Sequence, residues 1–258
     1  MLRAGDVAYE HHGGGGSAEG RPALLLIHGA AGSRLFWPPA IRRLEGVEVY
    51  ALDLPGHGAT GGEASPTLDG YASAVKAWME AVGLRRAVCA GHSMGGAIAL
   101  TLGLMSPDTL AGLILVGSGA SLRVNPLLLD LSGSPATYRQ AVDLIVEWSF
   151  GSQTPPRLLE LASRRMGDVP ARVLHADLEA CSRFDVRSQI GNITLPALVI
   201  CGSEDRMTPP KLSQALAEAL PRSRLHMVEG AGHMVMLEQP EAVAAAIGQF
   251  FGATFPLA

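Results

Sequence analysis

Six short apolar runs recur along this chain, at residues 23–27, 47–52, 87–90, 110–116, 195–200 and 225–228. Most lack the in–out alternation of a strand with one wet face. Strands apolar at every position are buried on both faces, as in a parallel sheet with helices on its two sides. Helical patterns lie between the runs. Residues 67–82 place Leu68, Tyr71, Val75, Trp78, Met79 and Val82 at three- and four-residue steps, with Gly83 as a stop. Residues 94–104, 209–220 and 240–251 read likewise. Strands alternating with helices predict an α/β chain with a doubly wound, mainly parallel sheet. A length of 258 residues suits one such domain.

One stretch breaks the rhythm. Residues 121–189 contain no convincing strand but show helical patterns at 137–150, 157–165 and 171–184. The expected organisation is therefore a core made of residues 1–120 and 190–258, with a helical cap inserted at 121–189. Near the N-terminus, a weak alternation over residues 7–9 leads to His11-His12 and the glycines 13–16, read as a mobile hairpin loop. The His pair has no carboxylate or Cys at ligand spacing, so a surface loop is expected there and not a metal site.

Composition removes several classes of function. The formal net charge is −4, and the 20 basic residues are scattered, which disfavours nucleic acid as a partner. No polybasic cluster addresses an anionic membrane, and no apolar stretch reaches the roughly 18 residues of a bilayer span. Arg3 is not followed by the apolar run of a secretory signal. Cys89, Cys181 and Cys201 are odd in number and far apart, so neither a disulfide framework nor a zinc site is expected. A reduced, cytoplasmic globule follows.

The most informative segment is Ala87-Val88-Cys89-Ala90-Gly91-His92-Ser93-Met94-Gly95-Gly96-Ala97. A buried strand runs into Gly91-x-Ser93-x-Gly95, and a small-residue helix starts at once. Glycines two positions either side remove side chains that would collide in so tight a turn. Ser93 is then exposed at a helix N-terminus, where free amides favour developing negative charge. Ser93 is the expected nucleophile, and a hydroxyl nucleophile needs a base.

In this motif and in the order of the segments that follow, the chain resembles the α/β-hydrolase superfamily over nearly its whole length. The resemblance implies a serine hydrolase of carboxylesterase type, needing no metal or organic cofactor. The family's His loop resembles Glu229-Gly230-Ala231-Gly232-His233, followed by Glu238-Gln239-Pro240, which implies His233 as general base. The acid loop resembles Gly202-Ser203-Glu204-Asp205, which implies Asp205 as the group orienting His233, with Glu204 as the alternative. The strand ending near Gly117-Ser118 carries no carboxylate before Asp130, so the other position relatives use is empty. By the same resemblance the backbone N–H of Ala30, in His28-Gly29-Ala30-Ala31-Gly32, joins that of Met94 as an oxyanion donor.

Other histidines are read as structural: His92 packing under the elbow, His28 bracing its loop, and His57 in the turn Asp53-Leu54-Pro55-Gly56-His57-Gly58. Asp53 is read as ending its strand. Trp37, where relatives carry a Trp near the active-site loop, and Trp148, in the insertion, are candidate pocket residues. Arg164, Arg165 and Arg183 are read as solvated. A Ser at the nucleophile position and an Ala at 30 disfavour dehalogenation and epoxide opening. The expected substrate is a small-molecule ester with a short to medium acyl chain. Lactone hydrolysis, carbon–carbon bond hydrolysis, perhydrolysis and acyl transfer remain open, as does a hydrolase-derived ligand receptor.

Overall fold

A computed structural model of the chain describes residues 1–13 and 21–256. Its strands are β1 (Leu2–Ala4), β2 (Val7–His12), β3 (Ala23–Ile27), β4 (Val49–Leu52), β5 (Ala87–His92), β6 (Leu110–Val116), β7 (Ala197–Gly202) and β8 (Ser223–Val228). Its helices are α1 (Pro39–Arg42), α2 (Leu68–Ala81), α3 (Met94–Met105), α4 (Pro126–Ser132), α5 (Tyr138–Ser149), α6 (Pro156–Gly167), α7 (Ala171–Ser182), α8 (Pro210–Ala219), α9 (Val235–Glu238) and α10 (Pro240–Thr254). The strands form one sheet in the order β1-β2-β4-β3-β5-β6-β7-β8. Pairing is antiparallel at β1–β2 and β2–β4 and parallel from β4 to β8.

Every residue of β3, β5, β6 and β7 is buried. Alternate residues serve opposite faces of the sheet, and both faces are covered. Leu24, Leu26, Ile114, Val116 and Ile200 join Trp37, Ile41, Ile247 and Phe251 in one core. Leu25, Ile27, Leu113, Leu115 and Val199 join Tyr71, Trp78, Ile98 and Leu216 in the other. The missing alternation in the sequence thus reflects two apolar layers, and each such side chain contributes roughly 1.5–3 kcal/mol by leaving water. Helix α3 is buried from Met94 to Gly103, which is why its sequence is apolar on all sides.

The N-terminal segment differs from the sequence reading. The alternation over residues 7–9 continues as strand to His12, because β2 pairs with β4 through Glu10↔Ala51, His11↔Tyr50 and His12↔Val49. His11 stacks on Tyr50 with ring centroids 4.4 Å apart and meets Glu48 at 2.9 Å, so it is a sheet residue. The rest of the expected glycine turn, from Gly14, lies outside the described residues. Between β6 and β7 the chain forms α4, α5, α6 and α7, and a bridge pairs Ser121 with Asp185 at the two ends of this excursion. Helix α4 was not read from the sequence; Asn125 caps it by accepting the Leu127 N–H at 3.0 Å.

The chain leaves β3 toward β4 on one side and returns to β5 on the other. That reversal opens a crevice at the carboxyl ends of β3 and β5, where open α/β sheets bind ligands. No helix among the described residues is long and apolar enough to cross a membrane.

Candidate active site

The turn after β5 holds Ser93 at φ 53° and ψ −116°, in the left-handed half of backbone space. That setting costs a residue with a side chain roughly 1–3 kcal/mol and persists only when neighbours enforce it. Here they do. The Ser93 N–H donates to the Val116 carbonyl at 2.9 Å, and Ser118 Oγ donates to the Ser93 carbonyl at 2.9 Å. A Cβ on Gly91 would stand 2.0 Å from the Gly95 carbonyl oxygen, and one on Gly95 2.4 Å from that of Ile27. Only glycine fits either place. Met94 then opens α3, and its N–H lies ahead of any intrahelical acceptor.

His233 sits in the loop between β8 and α9, buried to 4% exposure. Its Nδ1 is 2.9 Å from Asp205 Oδ2 and 3.1 Å from Thr208 Oγ1. Facing a carboxylate, Nδ1 carries the proton, which leaves the Nε2 lone pair free. Ser93 and His233 line one cavity of about 670 Å³. None of the hydrogen bonds among the described residues joins the Ser93 hydroxyl to Nε2, a bond that commonly tightens only around substrate.

Asp205 follows β7, and its carboxylate is fully occupied. Oδ1 accepts the N–H groups of Met207 and Thr208 at 2.9 and 2.8 Å, and Oδ2 accepts Thr208 Oγ1 at 2.8 Å and the His233 ring. Burial alone would raise its pKa, but the His233 imidazole and these donors hold it below the ordinary aspartate value. Glu204 points elsewhere, accepting the Ser152 N–H at 2.6 Å and Ser152 Oγ at 3.1 Å. Thr208 was not singled out in the sequence. The short Asp-x-x-Thr spacing, which suits an aspartate capping the amides that follow it, is the signal for it.

Glu238 was also missed as more than a loop marker. Its Oε1 accepts the Gly232 N–H at 2.9 Å, while Oε2 accepts the Gly151 N–H at 2.8 Å and Thr154 Oγ1 at 2.7 Å. One carboxylate therefore ties the His233 loop to the segment after α5. The Met234 N–H adds a bond to the Ser149 carbonyl at 3.0 Å.

Opposite Ser93, the loop after β3 is a tight turn. The Gly29 carbonyl accepts the Gly32 N–H at 3.1 Å and His28 Nδ1–H at 2.8 Å. Because the peptide is planar and trans, anchoring that carbonyl directs the Ala30 N–H the other way. Ala30 is part of the cavity wall. His28 braces this loop from both nitrogens, since its Nε2 accepts the Leu54 N–H at 3.0 Å. Burial and the nearby His57 push its pKa down to about 3, so it stays neutral. His92 is likewise held near 3 by burial and the neighbouring His233, and its Nε2–H donates to the His233 carbonyl at 3.0 Å. Asp53, fully buried, pins Arg34 and the Ala59 N–H.

Of the two tryptophans singled out, Trp148 lines the cavity and Trp37 does not. Trp37 is wholly buried in the core beside Ile41, because the extended residue after the Arg34–Phe36 turn points inward. Its neighbour Phe36 reaches the cavity instead, with Leu122, Val124, Leu128, Ile145, Leu174 and Leu178 among the apolar walls. Arg164, Arg165 and Arg183 are exposed and outside this cavity, whereas Arg123 and Arg206 line it. Cys89, Cys181 and Cys201 are free and buried, and burial pushes the Cys89 thiol up to about 12. Among the described residues no group of three or more His, Cys, Asp or Glu side chains gathers as a metal ion would need.

Comparison with known proteins agrees with this architecture. Residues 24–246 match the alpha/beta hydrolase family. A protein of Caulobacter vibrioides named "Putative carbamate hydrolase RutD" is 31% identical over 258 residues, covering 94% of each chain. The solved structure of a thermophilic esterase is 33% identical, with a TM-score of 0.82, over 96% of this chain and 94% of that one. An enol-lactonase from Burkholderia xenovorans LB400 shares the fold with a TM-score of 0.86 at 22% identity, over 95% of this chain and 96% of that one. With a family match across most of its sequence and a relative aligned almost end to end, this chain belongs to the alpha/beta hydrolase family.

Proposed function

We propose that this protein hydrolyses carboxylic esters of short to medium acyl chain through an acyl-enzyme formed on Ser93. The observation that carries the reading is the His233–Asp205 bond of 2.9 Å, set behind a cavity whose wall includes a serine at positive φ. In the proposed cycle Ser93 Oγ attacks the ester carbonyl and His233 Nε2 takes its proton. Asp205 holds the resulting imidazolium, and the N–H groups of Ala30 and Met94 stabilise the tetrahedral oxyanion. The intermediate collapses, the alkoxide leaves with the proton from His233, and water repeats the sequence to release the acid. The balance is ester plus water to acid plus alcohol, with no cofactor.

The cavity supports the substrate class. About 670 Å³ with mostly apolar walls suits a medium acyl group, and each buried methylene is worth about 0.8 kcal/mol, roughly fourfold in kcat/KM until the space is full. The similarity to the thermophilic esterase supports the same class. The similarity to the protein named as a carbamate hydrolase favours a second reading, in which the same nucleophile attacks a carbamate carbonyl. The three buried, unpaired thiols support a reducing compartment such as the cytoplasm.

The test is a p-nitrophenyl ester series from acetate to dodecanoate, run beside an aryl carbamate, with wild type and Ser93→Ala. Ester turnover peaking at intermediate length, lost in a folded Ser93→Ala, is the expected result. A folded Ser93→Ala that keeps its activity removes the mechanism, and turnover of the carbamate alone replaces the substrate.

A further inference from the structure

Asp177 is a fully buried carboxylate that the proposed chemistry leaves unused. It projects from α7, has no exposed surface, and collects donors from three separate parts of the core. Oδ2 accepts the Ala31 N–H at 2.9 Å and meets His57 Nε2 at 2.8 Å, while Oδ1 accepts the Tyr71 hydroxyl at 2.6 Å. A buried ion pair of this kind is a poor source of net stability, because desolvating the charges offsets much of their attraction. Its placement therefore calls for a reason beyond holding α7 down.

The reason lies in the turn it touches. Gly29 to Gly32 closes by the Gly32 N–H to Gly29 carbonyl bond, and Ala31, its third residue, has φ +49°. A positive φ there marks a type II turn, which normally requires glycine or asparagine. An alanine relaxes by flipping the central peptide to the type I arrangement with negative φ. The N–H of that central peptide is the Ala31 N–H, the one bound by Asp177. A flip would point a carbonyl at a carboxylate, so Asp177 blocks it.

We propose that Asp177 is a positioning residue for hydrolysis at Ser93, holding in its type II form the turn after β3 that carries the Ala30 N–H. His57 balances the charge. Its Nδ1 faces the Pro55 carbonyl at 3.0 Å and its Nε2 faces Asp177, two acceptors that together call for a doubly protonated ring. Helix α7 also supplies Leu174 and Leu178 to the cavity wall. One helix thus shapes the acyl pocket and sets the oxyanion turn. This rests on the acyl-enzyme reading given above.

The test compares four proteins on one ester: wild type, Asp177→Ala, the double variant Asp177→Ala with Ala31→Gly, and Val173→Ala. Val173 is buried on the same helix but lies outside the cavity, so its truncation loosens α7 without touching the turn. Asp177→Ala is expected to lower kcat about 10- to 100-fold with KM within about threefold, since misdirecting one oxyanion donor acts in the transition state. Ala31→Gly, which tolerates positive φ unaided, is expected to return part of that loss, and Val173→Ala to stay within about threefold of wild type. If Asp177→Ala does not fold, Asp177→Asn carries the test. Its amide oxygen still accepts the Ala31 N–H but more weakly than a carboxylate, so the turn is held less firmly and a loss of about 3- to 10-fold is expected, again eased by Ala31→Gly.

Labelling of wild-type Ser93 by a fluorophosphonate runs in parallel. An active, labelled wild type whose Asp177 variants keep full kcat overturns this inference alone. An equal loss in Val173→Ala, or no rescue by Ala31→Gly, also overturns it. A wild type that neither turns over ester nor is labelled overturns the reading of the site, and the positioning role with it.

Discussion

Replacing Asp205 by asparagine should damage this enzyme more than deleting the side chain altogether. The hydrogen bonds around Asp205 dictate why. Oδ1 accepts two backbone N–H groups, from Met207 and Thr208, and these donors cannot reverse. An asparagine must therefore place its oxygen there and its NH2 where Oδ2 stands, against His233 Nδ1 and Thr208 Oγ1. Thr208 can rotate its hydroxyl and accept. His233 can satisfy the amide only by moving its proton to Nε2, and that tautomer has no lone pair for the Ser93 proton. In the proposed mechanism a wrong tautomer of this kind costs about 10⁴ in kcat, equivalent to about 5 kcal/mol of transition-state stabilisation. Asp205→Ala forces no tautomer and should retain the higher kcat per folded molecule. The assay is kcat for p-nitrophenyl butyrate at pH 8, with active fraction set by circular dichroism and thermal melting. A folded Asp205→Asn within tenfold of wild type, or one more active than Asp205→Ala, would refute the reasoning.

Three further outcomes follow from the same structure. Trp148→Ala should move the best acyl chain several methylenes longer in the ester series, at roughly fourfold in kcat/KM per methylene accommodated; an unmoved profile would put the acyl group elsewhere. Trp37→Ala should cost about 3–5 kcal/mol in a denaturant melt yet leave the chain-length profile where it was, because Trp37 packs in the core. The ring of His57 faces Asp177, Asp53, His28 and Tyr71. Burial would lower its pKa, but the hydrogen bond and charge of Asp177 raise it above 6.5. A raised folded pKa contributes stability that is complete below about pH 6.5 and is lost as pH climbs through the folded value. The melting-temperature gap between wild type and Asp177→Asn should therefore be largest in mild acid and narrow with rising pH, and a gap that widens would reverse the assignment.

What could be read in the amino-acid order was whatever depends on local periodicity and on close backbone contact. Continuous apolar runs announced doubly covered strands, since a residue needs an apolar neighbour whichever face it serves. Gly91 and Gly95 announced the turn at Ser93, since any Cβ there collides with backbone a few residues away or with the adjoining strand. Asp205 and His233 were implied only by the resemblance of their loops to the family's, and the structure brings the two side chains to 2.9 Å. The tertiary structure alone decided matters that depend on side-chain direction across long separations. Phe36 and Trp37 are adjacent and both aromatic, and only the turn at Arg34–Phe36 settles which faces the cavity. Glu238 and Asp177 find partners through loops and helices brought together by packing. For Asp177 those partners are Ala31, His57 and Tyr71, more than a hundred residues away. An acid on the apolar side of α7, in register with Val173 and Cys181, was the one trace of it in the sequence, and the identity of its donors could not be written there because it arises only when the sheet and α7 meet.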